Sequence, residues 1–325
     1  MTTDQFSAPS DLINDAAEEV FDRNGVRRSK DGRPYVKVFC GGCDGGGRVP
    51  GARAGTTKNC PTCKGKGNSR EVVYTRCTSF VGVLESRQNL EAWQRRITLL
   101  GLAVDGTLWA ELLSTDAEDR DALNAIADKA FEIGDGHAAA QKGTDLHLLS
   151  EAVDEGGPFA IPASLEDRVD MAAYARARDR HRLRFTDAEV FVVQDELKIG
   201  GTFDRRAIWP AHAEFCGCSA DAVIFDLKTG RVDYGQGKIA QQLGVYAHSQ
   251  RYDPETGERR PLDVCQKYGL VMHLAQGTGE ARLMTVDLVE GWRAVAVSAS
   301  VREHRRISKG WLMDLDDVKL ISPKP

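Results

Sequence analysis

The sequence has no long apolar run, and nothing in it approaches the ~18 consecutive apolar residues of a membrane-spanning helix. Its acidic start, MTTDQFSAPSDLINDAAEEVFDRNG, has no hydrophobic signal core, so a cytoplasmic location is expected. Basic charge is not in excess. The formal net charge of −5 excludes a generally basic coat for nucleic acid, although a local groove could still neutralise phosphates. Two basic clusters, Arg176–Arg184 and Arg302–Lys309, are read first as solvated helix faces. No GxxxxGK[ST] phosphate loop occurs, so the chain carries no evident motor. There is no internal repeat of solenoid length. What is present is ordinary for a globular protein of about two domains: 325 residues, 42% hydrophobic and 28% charged.

The eight cysteines are unevenly placed. Four lie within Cys40–Cys63, and Cys77, Cys216, Cys218 and Cys265 are scattered. Cys40-Gly-Gly-Cys43-Asp-Gly-Gly-Gly47 and Cys60-Pro-Thr-Cys63-Lys-Gly-Lys-Gly67 are two copies of CxxCxGxG. Two residues between paired cysteines let both thiolates face one ion, and the glycines that follow permit positive φ. Four thiolates close a tetrahedral structural zinc shell. The stretch from Gly41 to Gly67 is almost without apolar residues, so it cannot bury a core of its own. A structural zinc supplies on the order of 10 kcal/mol of folding energy, which would order it. The alternative is a reduced loop with four idle thiols.

Hydrophobic periodicity predicts a helix at Asp11–Arg23, a short strand at Tyr35–Phe39 and a brief β-run at Val72–Tyr74. A long helical region from Leu84 to Val153 follows, with Trp93, Leu99, Leu102 and Trp109 as its apolar face. Gly134, Gly136 and Gly143 are expected to interrupt it. Leu165–Arg184 reads as one more helix. The period then changes. Glu189–Val193, Lys198–Ile208 and Ala222–Leu227 read as strands, the last almost wholly apolar and so central in a sheet. A helix at Gly237–Ser249, strands at Tyr268–Leu274 and Arg282–Val286, and a helix at Trp292–Ile307 complete an α/β core.

The apolar strand carries the most informative residues, Phe225-Asp226-Leu227-Lys228. Asp226 and Lys228 alternate with Phe225 and Leu227, so the carboxylate and the amine share one face. Burying that pair without a use would be costly. Upstream, Gly200-Gly201-Thr202-Phe203-Asp204 ends in a second carboxylate, and Gly143-Thr144-Asp145-Leu146-His147 brings a histidine into a helix. Downstream, Gln242 and Tyr246 are four apart and share a helix face. Each has a plainer reading: a satisfied core histidine, a turn with a surface ion pair at Asp204-Arg205-Arg206, a strand end at Lys228, or helix packing. Glu151, one turn after His147, could fix its ring, and Glu189 on the first strand could join the site. For both, a solvated carboxylate is the simpler reading.

The doubled CxxCxGxG resembles the zinc-binding repeats of DnaJ-type chaperones, over about 28 residues. The resemblance implies Cys40, Cys43, Cys60 and Cys63 as ligands of one Zn²⁺. It does not imply chaperone activity, since the His-Pro-Asp motif of that family is absent.

The ordered set of His after Gly-Thr, then Gly-x-x-Asp, Asp-x-Lys and Gln-x-x-x-Tyr resembles the RecB-like branch of the PD-(D/E)XK nucleases. That branch includes CRISPR-associated nucleases and phage exonucleases, and the likeness here is to those of actinobacteriophages. It implies a restriction-endonuclease-like core, a mixed central sheet flanked by helices. It further implies that His147, Asp204, Asp226 and the Leu227 carbonyl bind Mg²⁺ or Mn²⁺, and that Lys228 holds and helps deprotonate the attacking water. Gln242 and Tyr246 would orient the phosphate or steady the lysine. The literal Pro-Asp of the family name is replaced by Gly-Thr-Phe-Asp. Some relatives hold an iron–sulfur cluster through one cysteine before the core and three after it. Cys265 is the only cysteine beyond the core helix here, so no such cluster is expected. His212, Cys216 and Cys218 are read as a reduced loop, with a second metal site as the alternative.

The expected organisation is an N-terminal helix and linker (1–34), a zinc module (35–76) and a nuclease domain (77–325), with a helical part at 77–184 and the α/β core at 138–310. The leading function is a DNA exonuclease in phage-style recombination or replication. An endonuclease for branched or single-stranded DNA and a non-catalytic zinc-mediated adaptor are the alternatives. DNA contacts are expected from Lys64, Lys66, Arg70, Arg76, Arg302, Arg305 and Arg306. Processive action would need a helicase or recombinase partner, or self-association into a ring.

Overall fold

The computed structural model describes residues 20–43, 45–67 and 70–312. The chain divides into two compact units, one of residues 1–73 with 254–257 and the other of residues 74–253 with 258–325. Most of the helix expected at Asp11–Arg23 lies outside the described residues. Its last part is instead strand β1 (Val20–Phe21), paired with β2 (Arg27–Arg28). The reason is local: Asp22 Oδ1 accepts the N–H groups of Asn24 and Val26 and turns the chain back.

In the first unit β3 (Tyr35–Val38) pairs antiparallel with β6 (Arg70–Val73), closing the base of the cysteine segment. Between them β4 (Arg48–Pro50) and β5 (Thr57–Asn59) form a hairpin that joins the two cysteine knuckles.

The second unit is a mixed α/β structure. Strand β7 (Thr75–Arg76) leads into α1 (Cys77–Val81), α2 (Gln88–Val104), α3 (Gly106–Ser114), α4 (Arg120–Ile133), α5 (Ala138–Glu155) and α6 (Leu165–Arg180). Then come β8 (Arg184–Gln194), β9 (Ile199–Ile208), α7 (His212–Cys216), β10 (Val223–Lys228) and α8 (Gln236–Ala247). The last elements are β11 (Gln250–Tyr252), β12 (Arg259–Arg260), β13 (Tyr268–Ala275), β14 (Glu280–Asp287) and α9 (Leu288–Ile307). One eight-stranded sheet runs in the order β12-β11-β8-β9-β10-β13-β14, with β7 also paired to β9. The β10–β13 and β7–β9 pairs are parallel and the others antiparallel.

Helices cover both faces of this sheet. On one, Phe80 of α1, Leu243 and Tyr246 of α8 and Val295 of α9 pack on Phe203 and Ile224. On the other, Leu146 and Leu149 of α5 and Tyr174 of α6 pack on Phe225 and Leu227. The apolar run Val223–Phe225 with Leu227 in β10 follows from being covered twice, as its sequence suggests. Ser164 and Asp167 form a reciprocal capping box that starts α6. The expected helix end at Arg184 is corrected to Arg180: Arg182 adopts φ +53° and the chain turns into β8. Gly143 does not interrupt a helix but lies within α5. The expected apolar face of the helical region is also corrected, because Leu99 and Trp109 are 65% and 49% exposed. The buried cluster of α3 and α4 is formed instead by Leu108, Ile126 and Ala130. Among the described residues no single helix is long and apolar enough to cross a membrane.

Candidate functional site

Three groups of residues have the chemistry of sites, one in the first unit and two in the second. In the first, Cys40 Sγ lies 3.7 Å from Cys60 Sγ and Cys43 Sγ lies 3.6 Å from Cys63 Sγ. All four sulfurs fall within 4.8 Å of one another. A tetrahedral ion with metal–sulfur bonds of about 2.3 Å needs sulfur–sulfur edges of about 3.75 Å. The knuckles are alike: Gly47 N–H donates to Cys43 Sγ at 3.2 Å and Gly67 N–H to Cys63 Sγ at 3.4 Å. Both glycines have positive φ, +71° and +62°, as the motif anticipates. Backbone N–H groups of Cys63 and Thr62 bring the Cys60 thiol down to about 6 against the opposing effect of burial. Burial and the neighbouring Cys63 push Cys43 up to about 12. Four thiols so crowded cannot all ionise alone, and a divalent cation resolves the conflict. The cluster could hold one zinc ion.

The second group forms around the end of β10. The β9–β10 ladder runs from Val223↔Ala207 to Phe225↔Arg205. The next N–H along β10, that of Leu227, goes to Asp204 Oδ2 at 2.8 Å. His147 Nδ1, from α5, stands 3.4 Å from that same oxygen. Glu189 lies in β8 between the registered pairs Ala188↔Arg205 and Val190↔Phe203, which puts it across from Asp204. Its φ is +51°, a costly backbone state for a strand glutamate. His147, Glu189 and Asp204 each bring one ligand atom within 4.8 Å of the others.

Asp226 is 1% exposed, and burial followed by the charge of Asp204 pushes its carboxyl up to about 7. Lys228 Nζ pairs with the enclosed Asp226 Oδ2 at 2.5 Å. Burial disfavours the Lys228 ammonium, and the carboxylates of Asp226 and Asp204 outweigh that, so its pKa is raised. The imidazole of His147 and the carboxylates of Glu189 and Asp204 are a mixed nitrogen and oxygen donor set that could hold a divalent cation, whereas Asp226 lies outside that group of mutually close ligand atoms and is paired with Lys228.

The surrounding sequence explains the placement. A Cβ at Gly143 would meet Thr229 Oγ1 at 3.0 Å, so the glycine lets α5 approach the end of the Asp-x-Lys strand. Arg205, fully buried, ties α5 to β9: its Nε meets Asp154 Oδ2 at 3.0 Å and its Nη2 donates to Ser150 Oγ at 3.1 Å. The reading of Asp204-Arg205-Arg206 as a surface turn is therefore corrected; these residues lie in a strand. Asp154 also accepts from Tyr174 and Arg178, at 2.9 Å and 3.2 Å. No motif announced this network. Its only sequence sign is Asp154 on the helix that carries His147.

Gln242 and Tyr246 are buried on α8 and joined by a hydrogen bond of 3.3 Å. Tyr246 packs under Gly201 of β9 and beside Cys77. Glu151 does not lie in the carboxylate group. It lines a neighbouring cavity of about 640 Å³ with Asp154, Arg178 and Arg205, and none of His147, Glu189, Asp204, Asp226 or Lys228 lines that space. Lys64, Lys66, Arg70, Arg76 and Arg305 are exposed. Arg302 is engaged within its unit, donating to Thr75 Oγ1 at 3.1 Å and lying over the Phe80 ring. Arg306 pairs with Glu303 on the same helix. A third group, His212, Cys216 and Cys218, is joined by Cys265.

No protein-family model matches the chain, and no curated protein matches it. Among solved structures it is similar to one titled "Crystal structure of SSO0001", at 13% identity, over 49% of this chain and 74% of that one, with a TM-score of 0.21. A likeness of that size carries no argument about fold or activity.

Proposed function

We propose that the chain is a divalent-metal-dependent deoxyribonuclease of the PD-(D/E)XK type, acting as an exonuclease. The observation that carries this reading is the group of His147, Glu189 and Asp204, tied by the Leu227 N–H to the strand that bears the Asp226–Lys228 pair. His147, Glu189, Asp204 and Asp226 would hold Mg²⁺ or Mn²⁺, with the Leu227 carbonyl as a further ligand implied by the family resemblance. When bound, such an ion compensates the carboxylates and acts as a Lewis acid toward a phosphate oxygen and water.

The chain's own residues have distinct tasks. Lys228, kept as an ammonium by the carboxylates of Asp226 and Asp204, would donate a hydrogen bond to the attacking water and orient it beside the scissile phosphodiester, favouring loss of the water's proton to solvent. The water oxygen would then bond to phosphorus as the bond from phosphorus to the leaving sugar oxygen breaks, that oxygen taking a proton from solvent. Asp204, fixed by the Leu227 N–H, keeps the ligand geometry from drifting. The burial of Gln242 and Tyr246 favours a role in steadying the strand bearing Lys228 over direct contact with phosphate. Lys64, Lys66, Arg70, Arg76 and Arg305 are available to DNA phosphates, and affinity would then fall steeply with salt.

The test is incubation of the purified chain with linear, circular and single-stranded DNA, with Mg²⁺, Mn²⁺ or EDTA, beside Asp204→Asn. Metal-dependent loss of linear but not circular DNA, absent in the variant, is the expected result. Cutting of closed circles would replace the exonuclease by an endonuclease. Inactivity on every substrate with Mn²⁺ present would favour the zinc-mediated adaptor.

A further inference from the structure

We propose that His212, Cys216, Cys218 and Cys265 form a second structural zinc site, with three thiolates and one imidazole around a single ion. The proposal is independent of the nuclease reading. The sequence alone leaves His212, Cys216 and Cys218 as a reduced loop or an incomplete site; the fold supplies the fourth ligand from 47 residues beyond Cys218.

The distances are those of a tetrahedron. Cys216 Sγ and Cys218 Sγ stand 3.7 Å and 3.6 Å from Cys265 Sγ, and Cys218 Sγ stands 3.6 Å from His212 Nε2. With bonds of about 2.3 Å to sulfur and about 2.0–2.1 Å to nitrogen, a tetrahedral zinc requires edges of about 3.75 Å and about 3.6 Å. The sulfurs are too far apart for a disulfide, whose bond is about 2.05 Å. All four ligand atoms also fall within 4.8 Å of one another, a shell fitted to one ion rather than to the wider span of a multi-iron cluster.

Local structure prepares each ligand. His212 opens the single turn α7 and Cys216 closes it, four residues apart and hence on one face. Gly217 follows at φ +65° and reverses the chain, so that Cys218 returns to the same point. Cys265 Sγ accepts two backbone N–H groups, from Lys267 and Tyr268, each at 3.3 Å. His212 and Cys265 are 3% and 1% exposed, and the rings of Trp209, Phe215 and Tyr268 pack beside them. An imidazole and three sulfurs converging beside aromatic rings are the donor set of a borderline-soft cation such as zinc.

The site has a mechanical consequence. Cys265 N–H donates to Ala222 O at 2.8 Å, immediately before β10. An ion there would staple the β9–β10 connection to the segment entering β13, and so fix the start of the strand whose other end bears Asp226 and Lys228.

The test is zinc content of the full chain, purified under reducing conditions and dialysed against excess Mg²⁺ to displace zinc from the carboxylate site. Two zinc ions per chain are expected in the wild type, one in Cys60→Ser, one in Cys218→Ser and none in the double variant. His212→Cys should keep the second zinc and His212→Ala should lose it. A single zinc that Cys60→Ser removes and Cys218→Ser leaves in place would overturn the proposal. Where Cys218→Ser is insoluble, X-ray absorption of the wild-type zinc decides. The expected shell is four sulfurs at one ion and three sulfurs with one nitrogen at the other, whereas an all-sulfur shell rejects the site.

Discussion

Asp226→Asn should remove a pH-dependent loss of stability from the metal-free chain while destroying the activity proposed for it. Asp226 is buried, and its carboxyl titrates at about 7 where an ordinary aspartate titrates near 3.8. Each pKa unit is worth about 1.4 kcal/mol, so a shift of about three units makes the ionised form cost about 4 kcal/mol in the folded state. A raised folded-state pKa means that the folded chain binds more protons than the unfolded one between about pH 4 and about pH 7. The stability from this group is therefore complete below about pH 4 and is lost as the pH rises through about 7. Asparagine keeps the neutral shape and does not titrate. The stability of Asp226→Asn minus that of the wild type should then grow by about 2–3 kcal/mol between about pH 5 and about pH 7.5. Urea unfolding without added Mg²⁺ or Mn²⁺, and without chelator so that structural zinc stays in place, measures the difference. Added Mn²⁺ should stabilise only the wild type, by about 2.7 kcal/mol at a hundred times its dissociation constant. A difference that does not change with pH would refute the reasoning; losing the partner of Lys228 shifts the variant's stability without creating that pH dependence.

Three other outcomes follow from the packing around the site. Asp154→Ala leaves the buried Arg205 guanidinium without its carboxylate, and should cost about 3–5 kcal/mol in urea unfolding. Gly201→Ala places a Cβ 2.8 Å from the Tyr246 ring and 2.9 Å from Cys77 Cβ. It should cost about 1–3 kcal/mol and lower cleavage by shifting the helix behind Lys228; unchanged stability and rate would remove Tyr246 from the positioning role. Cys60→Ser should release one zinc and open residues 40–63 to protease while leaving the second unit's unfolding midpoint unchanged; zinc content equal to the wild type would contradict the four-thiolate site.

The strands and helices of the second unit were largely legible because their periods are strong. The run Ala222–Leu227 is apolar but for Asp226, and β10 proves central. The cysteine pairs declare themselves by spacing alone. Less was legible where a residue's partner is chosen by tertiary register. Glu189 reads as a surface carboxylate until the β8–β9 pairing and its positive φ set it opposite Asp204. Cys265 reads as solitary until the entry to β13 brings it beside Cys218. Helical periodicity marks Leu99 and Trp109 as apolar positions, but it cannot say which stripe finds a neighbour, and both remain exposed. Val20–Phe21 turns against its helical pattern because Asp22 captures two backbone N–H groups, a competition that propensity does not register.

The most direct measurement is the cleavage rate of end-labelled linear duplex DNA at saturating Mn²⁺ by the wild type and Lys228→Ala, with Mn²⁺ binding to each followed by calorimetry. The account predicts cleavage by the wild type only with the cation, and a loss of about 10²-fold or more in the variant with Mn²⁺ affinity retained. A variant that cleaves at the wild-type rate, or a wild type that cleaves without a divalent cation, would contradict it.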